Sequence, residues 1–177
     1  SNMEFAYYDK HINKKTKLRY DVTPLFHDPK VFANLITDLI KPFKNKKIDV
    51  VAGLDAFGFI LGAPIALKLK KSFVPIRKGG KLPGIKGTII RTSFIDYSKK
   101  RKSLEISTNA IKKGDKVLIV DEWIETGTQM KAAIRLIEKL GGTVIGISVL
   151  CSHKNAKTKP LFDKYNCQAI RKSRFGQ

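Results

Sequence analysis

Short apolar runs alternate with segments of helical spacing along most of this chain, and that alternation restricts the fold more than any other feature. Ile48 to Ala52, Ser72 to Arg77, Thr88 to Arg91, Lys116 to Val120 and Val144 to Leu150 read as strands. Between the strands, Asp28 caps and Pro29 opens an amphipathic helix with apolar residues Val31, Phe32, Leu35, Ile36, Leu39, Ile40 and Phe43. Gly58 to Lys70 has the same spacing. Met130, Ala133, Ile134, Ile137 and Leu140 form one face of a further helix, closed by Gly141-Gly142. The expected fold is α/β, a mostly parallel sheet with helices on both faces. Ligands of such sheets lie beyond the carboxyl ends of the strands, which singles out the loops after Ala52, Arg77 and Val120.

A chain of 177 residues without internal repeat or low-complexity linker reads as a single domain over 3–177, with Ser1-Asn2 a cloning scar ahead of Met3. An apolar fraction of 42% provides for a core. No apolar run approaches the ~20 residues of a membrane span, and nothing resembles a secretory signal. Cys151 and Cys167 are too few and too far apart for a disulfide framework or a zinc knuckle, so a cytoplasmic, reduced protein without membrane partners is expected. The net charge of +20 is spread over nearly every surface turn, from Lys14 and Lys15 to Arg171 and Lys172. Such a field draws in polyanions, whether phosphate-rich metabolites or nucleic acid, and equally suits a merely solubilising surface.

The most informative stretch runs from Val117 to Gln129. A buried strand delivers Asp121 and Glu122 to its tip, and Thr126-Gly127-Thr128 then opens a helix. The first-turn N–H groups and the positive end of the helix dipole make a seat for phosphate. Thr126 and Thr128 add hydroxyl donors, and Gly127 admits the anion close to the backbone. The two carboxylates suit ribose hydroxyls or a bound magnesium ion rather than the phosphate itself. A nucleotide-hydrolase loop is excluded, because the one Gly-Lys pair, Gly80-Lys81, is followed by Leu82. Plain helix capping by Thr126 is the simpler alternative.

The stretch Val117 to Gln129 resembles the phosphoribosyl pyrophosphate-binding motif of type I phosphoribosyltransferases. Asp21-Val22-Thr23-Pro24-Leu25, Ala52-Gly53-Leu54-Asp55-Ala56-Phe57-Gly58 and Val74 to Gly84 are similar to segments of the adenine phosphoribosyltransferase family, as are Asp96-Tyr97 and Leu104-Glu105-Ile106. The resemblance covers about Leu18 to Leu150 with the motifs in order. It implies the type I phosphoribosyltransferase fold with a small N-terminal hood (3–25), a flexible flap (84–103) and a homodimer. It also implies transfer of a phosphoribosyl group to a purine, adenine in first place, with Mg²⁺ bound mainly through the substrate and no metal-ligating cluster of the protein's own.

By position, Asp121 and Glu122 would hold the ribose hydroxyls. Glu125, Thr126, Gly127, Thr128 and Gln129 would cradle the 5′-phosphate, and Arg77, Lys78 and Lys81 the pyrophosphate. Asp96, Tyr97 and Glu105 fall on catalytic positions, and Leu18 and Tyr20 on the base-binding hood, although Tyr20 suits a core aromatic equally. Flap and disordered loop would look alike in the lysine-rich, apolar-poor stretch from Gly84 to Ser103. Phe57 stands where the family has Arg, Glu125 where it has Ala, and Thr128 and Gln129 where it has Gly and Thr. Lys14 to Asp21 replaces its Phe-Pro-x-x-Pro-Gly segment. Two other readings remain on the same fold: a phosphoribosyl pyrophosphate-sensing or nucleic-acid-binding regulator, and a transferase to orotate or uracil.

Overall fold

The computed structural model describes residues 5–16 and 20–173. Helix α1 (Phe5–Asp9) and a turn at Thr23–Phe26 lead into α2 (Pro29–Ile40). Asp28 caps α2 as expected, accepting from Lys30 N at 2.8 Å and Val31 N at 3.1 Å. The remaining elements follow in order: β1 (Val50–Leu54), α3 (Phe57–Leu69), β2 (Ser72–Lys78), β3 (Ile89–Ile95), β4 (Arg101–Ser107) and β5 (Lys116–Ile124). The chain closes with α4 (Thr128–Lys139), β6 (Thr143–His153), α5 (Lys159–Tyr165) and β7 (Cys167–Ser173).

The strands form a single seven-stranded sheet in the order β3-β4-β2-β1-β5-β6-β7. From β2 to β7 the neighbours run parallel, and β4 turns antiparallel to both β2 and β3. Side chains on β5 alternate between the two faces, Val117 and Ile119 packing with the inner side of α4, Leu118 and Val120 with α2 and α3. Both faces are therefore covered, which is why the central strands read as continuous apolar runs.

The structure adds what the residue pattern did not disclose. Strand β4 begins inside the expected flap (84–103) and runs beyond it to Ser107. Its first residues, Arg101 and Lys102, are exposed, but Leu104 and Ile106 are fully buried. Most of the expected flap is thus an antiparallel hairpin, β3–β4, with its turn at 96–100; Arg135 Nη2 of α4 donates to Ser93 O at 3.2 Å. Strand β5 continues four residues past Val120, so Asp121 and Glu122 lie within it. Beyond Leu150, α5 and β7 complete the sheet where no motif had been seen.

Candidate active site

Strand β1 lies between β2 and β5, so the loops after all three open side by side at the carboxyl edge. Their contact is backbone to backbone. A Cβ on Gly58 would stand 2.7 Å from Val120 O and 3.5 Å from Asp121 Oδ1, and one on Gly53 only 2.4 Å from Gly58 O. Glycine alone permits that approach, which fastens the β1–α3 turn to the strand that carries the acids.

At the β5 end, Glu122 is buried and Asp121 half-buried, with Asp121 Oδ1 accepting from Glu122 N at 2.8 Å. Gly127, at φ +79, turns the chain into α4, whose first turn has no side-chain cap. The Thr126 and Thr128 hydroxyls lie 3.2 Å apart beside it. Glu125 and Thr126 thus lead through Gly127 into Thr128 and Gln129, the first residues of α4.

The loop between β6 and α5 supports this seat and was not anticipated. Asn155 Nδ2 donates to Glu125 O at 3.3 Å, and Lys131 Nζ to Lys157 O at 2.6 Å. The buried Thr158 donates to His153 O at 2.7 Å, accepts from Asn155 N at 3.0 Å, and packs with Leu161 beneath Gly127. The strand-end rule, carried one strand further to the end of β6, would have found it.

At the β2 end, Arg77 Nε donates to Asp55 Oδ2 at 3.3 Å and its Nη1 to Lys81 O at 3.4 Å. Lys78 and Lys81 are exposed on the same turn. The three cations lie on one turn, and Asp55 is the partner that the residue pattern does not disclose. Phe57, at the position of the family's Arg, packs against Phe26 at 6.1 Å between ring centroids. Its side chain belongs to the aromatic cluster around α2, so Arg77, Lys78 and Lys81 carry the charge at this end.

Glu105 is placed differently from the expectation that made it a catalytic group. It is fully buried, and its carboxylate accepts from Gly80 N at 2.9 Å, Leu82 N at 2.6 Å and Arg91. Burial pushes its carboxyl up, but these backbone donors and the Arg91 guanidinium outweigh burial and hold it at about 2. Asp96 bonds to its own hairpin turn, accepting from the Ser98 hydroxyl at 2.7 Å, Ser98 N at 2.9 Å and Lys100 N at 3.0 Å. The Ser98 hydroxyl foremost, with Lys100 N, Lys102 and Ser98 N, lowers Asp96 to about 2 against its desolvation. Tyr97 beside it is exposed.

At the hood, Tyr20 is 42% exposed, so the alternative of a core aromatic falls away. It meets Trp123 edge-on at 6.3 Å, and Trp123 in turn lies 6.0 Å from His153. Trp123 follows the acid pair directly, and its Nε1 is buried without a hydrogen-bond partner. Leu18 lies outside the described residues. Among the described residues no group of three or more His, Cys, Asp or Glu is placed to hold a metal ion.

A family model described as the phosphoribosyl transferase domain matches residues 25–176. The adenine phosphoribosyltransferase of Kosmotoga olearia is 41% identical over 152 residues, covering 85% of this chain and 86% of its own. That of Dinoroseobacter shibae is 47% identical over 130 residues, covering 73% of this chain and 70% of its own. A crystal structure of the Rhodothermus marinus adenine phosphoribosyltransferase superposes with a TM-score of 0.84 at 30% identity, over 95% of this chain and 97% of that one. Fold, motif order and relatives agree, and the chain belongs to the phosphoribosyl transferase family, on its adenine phosphoribosyltransferase branch.

Proposed function

We propose that this chain transfers the phosphoribosyl group of phosphoribosyl pyrophosphate to adenine, releasing pyrophosphate, a step of purine salvage. The observation that carries this reading is the order of chemistry along one sheet edge. The acid pair and the anion seat stand at the end of β5 and the group of cations at the end of β2, with the β1 turn between them, an arrangement that suits ribose, 5′-phosphate and pyrophosphate respectively. Glu125 to Gln129 hold the 5′-phosphate through backbone amides and the Thr126 and Thr128 hydroxyls. Asp121 and Glu122 accept from the ribose hydroxyls, and Arg77, Lys78 and Lys81 receive the pyrophosphate. Tyr20 and Trp123 flank the base end.

As the bond from the anomeric carbon to pyrophosphate breaks, the sugar becomes electron-poor and the purine nitrogen takes the vacated position. Cations fixed where the leaving charge develops stabilise that transition state more than the ground state. Water would capture the same carbon, so the site needs cover, and the hairpin turn with Asp96 and Tyr97 is the segment suited to give it. Phosphoribosyltransferases are in general Mg²⁺-dependent. Asp121 and Glu122 are the hard oxygen donors that fit such an ion, with most of its ligands coming from substrate. When bound, Mg²⁺ supplies charge compensation for the departing pyrophosphate.

The test is a base screen with phosphoribosyl pyrophosphate and Mg²⁺. Adenine is expected to yield AMP and pyrophosphate well ahead of hypoxanthine, guanine and xanthine. No turnover of any of these bases, or preference for orotate or uracil, would overturn the reading.

The chain is further proposed to act as a homodimer in a reducing cytoplasm. Helix α3 is apolar but for Lys68, and beyond its buried face it carries the exposed Ile60 and Leu67 with the half-buried Pro64 between them, Leu67 being 79% exposed. Sedimentation of the wild type as a dimer and of Leu67→Asp as a monomer is the expected outcome. Nucleic acid is a second partner favoured by the net charge of +20. Binding that falls steeply with salt is its signature, and no binding at low salt would remove it.

A further inference from the structure

Glu105 is the middle member of a row that crosses three strands. In the sheet register it stands opposite Arg77 of β2 on one side and Arg91 of β3 on the other. The two arginines are used differently. Arg91 gives Glu105 Oε2 two donors, Nη2 at 2.8 Å and Nε at 3.1 Å, whereas Arg77 is held by Asp55 across the site. The turn that follows β2 then wraps over the carboxylate, with Gly80 N on Oε2 and Leu82 N on Oε1.

Two further details show how closely the turn is fitted to β4. Gly79 N donates to Ser103 O at 3.0 Å, and a Cβ on Gly79 would stand 2.0 Å from Ser103 Oγ. Gly80, at φ +83, adopts the left-handed conformation that lets alternate amides point inward at the carboxylate. With those amides committed to Glu105, the turn presents its cations outward: Lys78 and Lys81 are exposed, and Arg77 bridges Asp55 and Lys81 O.

We infer that Glu105 is a positioning residue, a built-in anion on which the 78–82 turn is folded so that Arg77, Lys78 and Lys81 converge on pyrophosphate. Arg91 is its counter-ion and the second positioning residue. Because β4 is one arm of the hairpin that ends at Asp96 and Tyr97, the same carboxylate ties the cover of the site to the turn that holds the leaving group. The inference rests on the proposed phosphoribosyl transfer.

The decisive measurement is a pair of titrations, pyrophosphate with Mg²⁺ and AMP, each on wild type and on Glu105→Gln. The amide keeps the size of the side chain but loses the charge, and its NH₂ faces donors. Pyrophosphate affinity is expected to fall tenfold or more in the variant while AMP affinity stays within about twofold, since the 5′-phosphate seat is built on β5 and α4. Equal loss of both affinities would show a general structural role and overturn the inference, as would unchanged pyrophosphate binding. Should Glu105→Gln not fold, Arg91→Gln decides by the same split, since the Arg91 side chain is 56% exposed and unfit to carry the core. A wild type that binds AMP but never pyrophosphate would instead sink the functional reading, and the inference with it.

Discussion

Arg77 and Asp55 face each other across the mouth of the site, with Nε 3.3 Å from Oδ2, and the pair joins the loop after β1 to the end of β2. The carboxylate aims the guanidinium, Nη1 donates to Lys81 O at 3.4 Å, and the Nη2 side is left for a ligand. Arg77→Ala should weaken phosphoribosyl pyrophosphate binding about 10- to 100-fold, the usual range for a charge-assisted contact. Steady-state kinetics should show most of the change in KM for that substrate and little in KM for adenine.

Glu125 brings a carboxylate to the loop that seats the 5′-phosphate, and its backbone carbonyl is tied down by Asn155. Removing the charge without moving the carbonyl should improve the seat. Glu125→Ala is expected to bind AMP about two- to tenfold more tightly at low ionic strength, with the gain shrinking as salt is added. Calorimetry at two salt concentrations reads both effects.

Asn155 acts from the other side of that carbonyl. Asn155→Ala removes the 3.3 Å bond to Glu125 O and the side-chain acceptor for Lys157 N and Thr158 N. A loss of about 1 kcal/mol in order of the seat corresponds to roughly fivefold weaker AMP binding. Pyrophosphate binding should be unaffected.

Gly58 tests the packing of the two loops. Its added methyl in Gly58→Ala would lie 2.7 Å from Val120 O, a backbone atom that has no rotamer to escape by. Overpacking of this kind costs about 1–3 kcal/mol. Thermal unfolding should register it, together with a fall in sugar-phosphate affinity, because Asp121 lies against the same methyl.

Acid sensitivity follows from Glu105 and Asp96, both held at about 2, below the ordinary 4.5 and 3.8. A depressed carboxyl contributes stability that is complete above its ordinary value and lost as pH falls through the folded one. Thermal melts should therefore be flat for these groups near neutrality and fall between about pH 4.5 and 2. Glu105→Gln should flatten part of that slope, since the amide does not titrate.

What could be read from the residues was whatever is written in contiguous pattern. The capped helix from Pro29, the apolar cores of β1, β2, β5 and β6, and the acid pair with its Thr-Gly-Thr turn all depend on neighbours in the chain. Strand β4 escaped because Arg101 and Lys102 face solvent and only Leu104 and Ile106 declare it. Strand β7 escaped because Gln168, Ala169 and Ile170 are only partly buried at the edge of the sheet. The partners at the site were the least legible. Asp55 with Arg77, Asn155 with Glu125, and Glu105 with Gly80 are between 22 and 30 residues apart, and only the fold brings them together. Phe57 shows the reverse case: its departure from the family's Arg was visible at once, but its destination in the aromatic cluster was not.

That Asp121 and Glu122 ride on β5, and not on a free loop, has a cost for any chain that pairs wrongly. Beyond Val120 the strand is held by β6 on one edge, and its register already carries an irregularity between Val117 and Leu118. A shift of one residue would carry both acids to the opposite faces of the sheet, where no loop adjustment could return them. Misassembled copies of this protein would accordingly be silent and not merely slow, and recovery of sugar-phosphate binding after denaturation reports correct strand alignment directly.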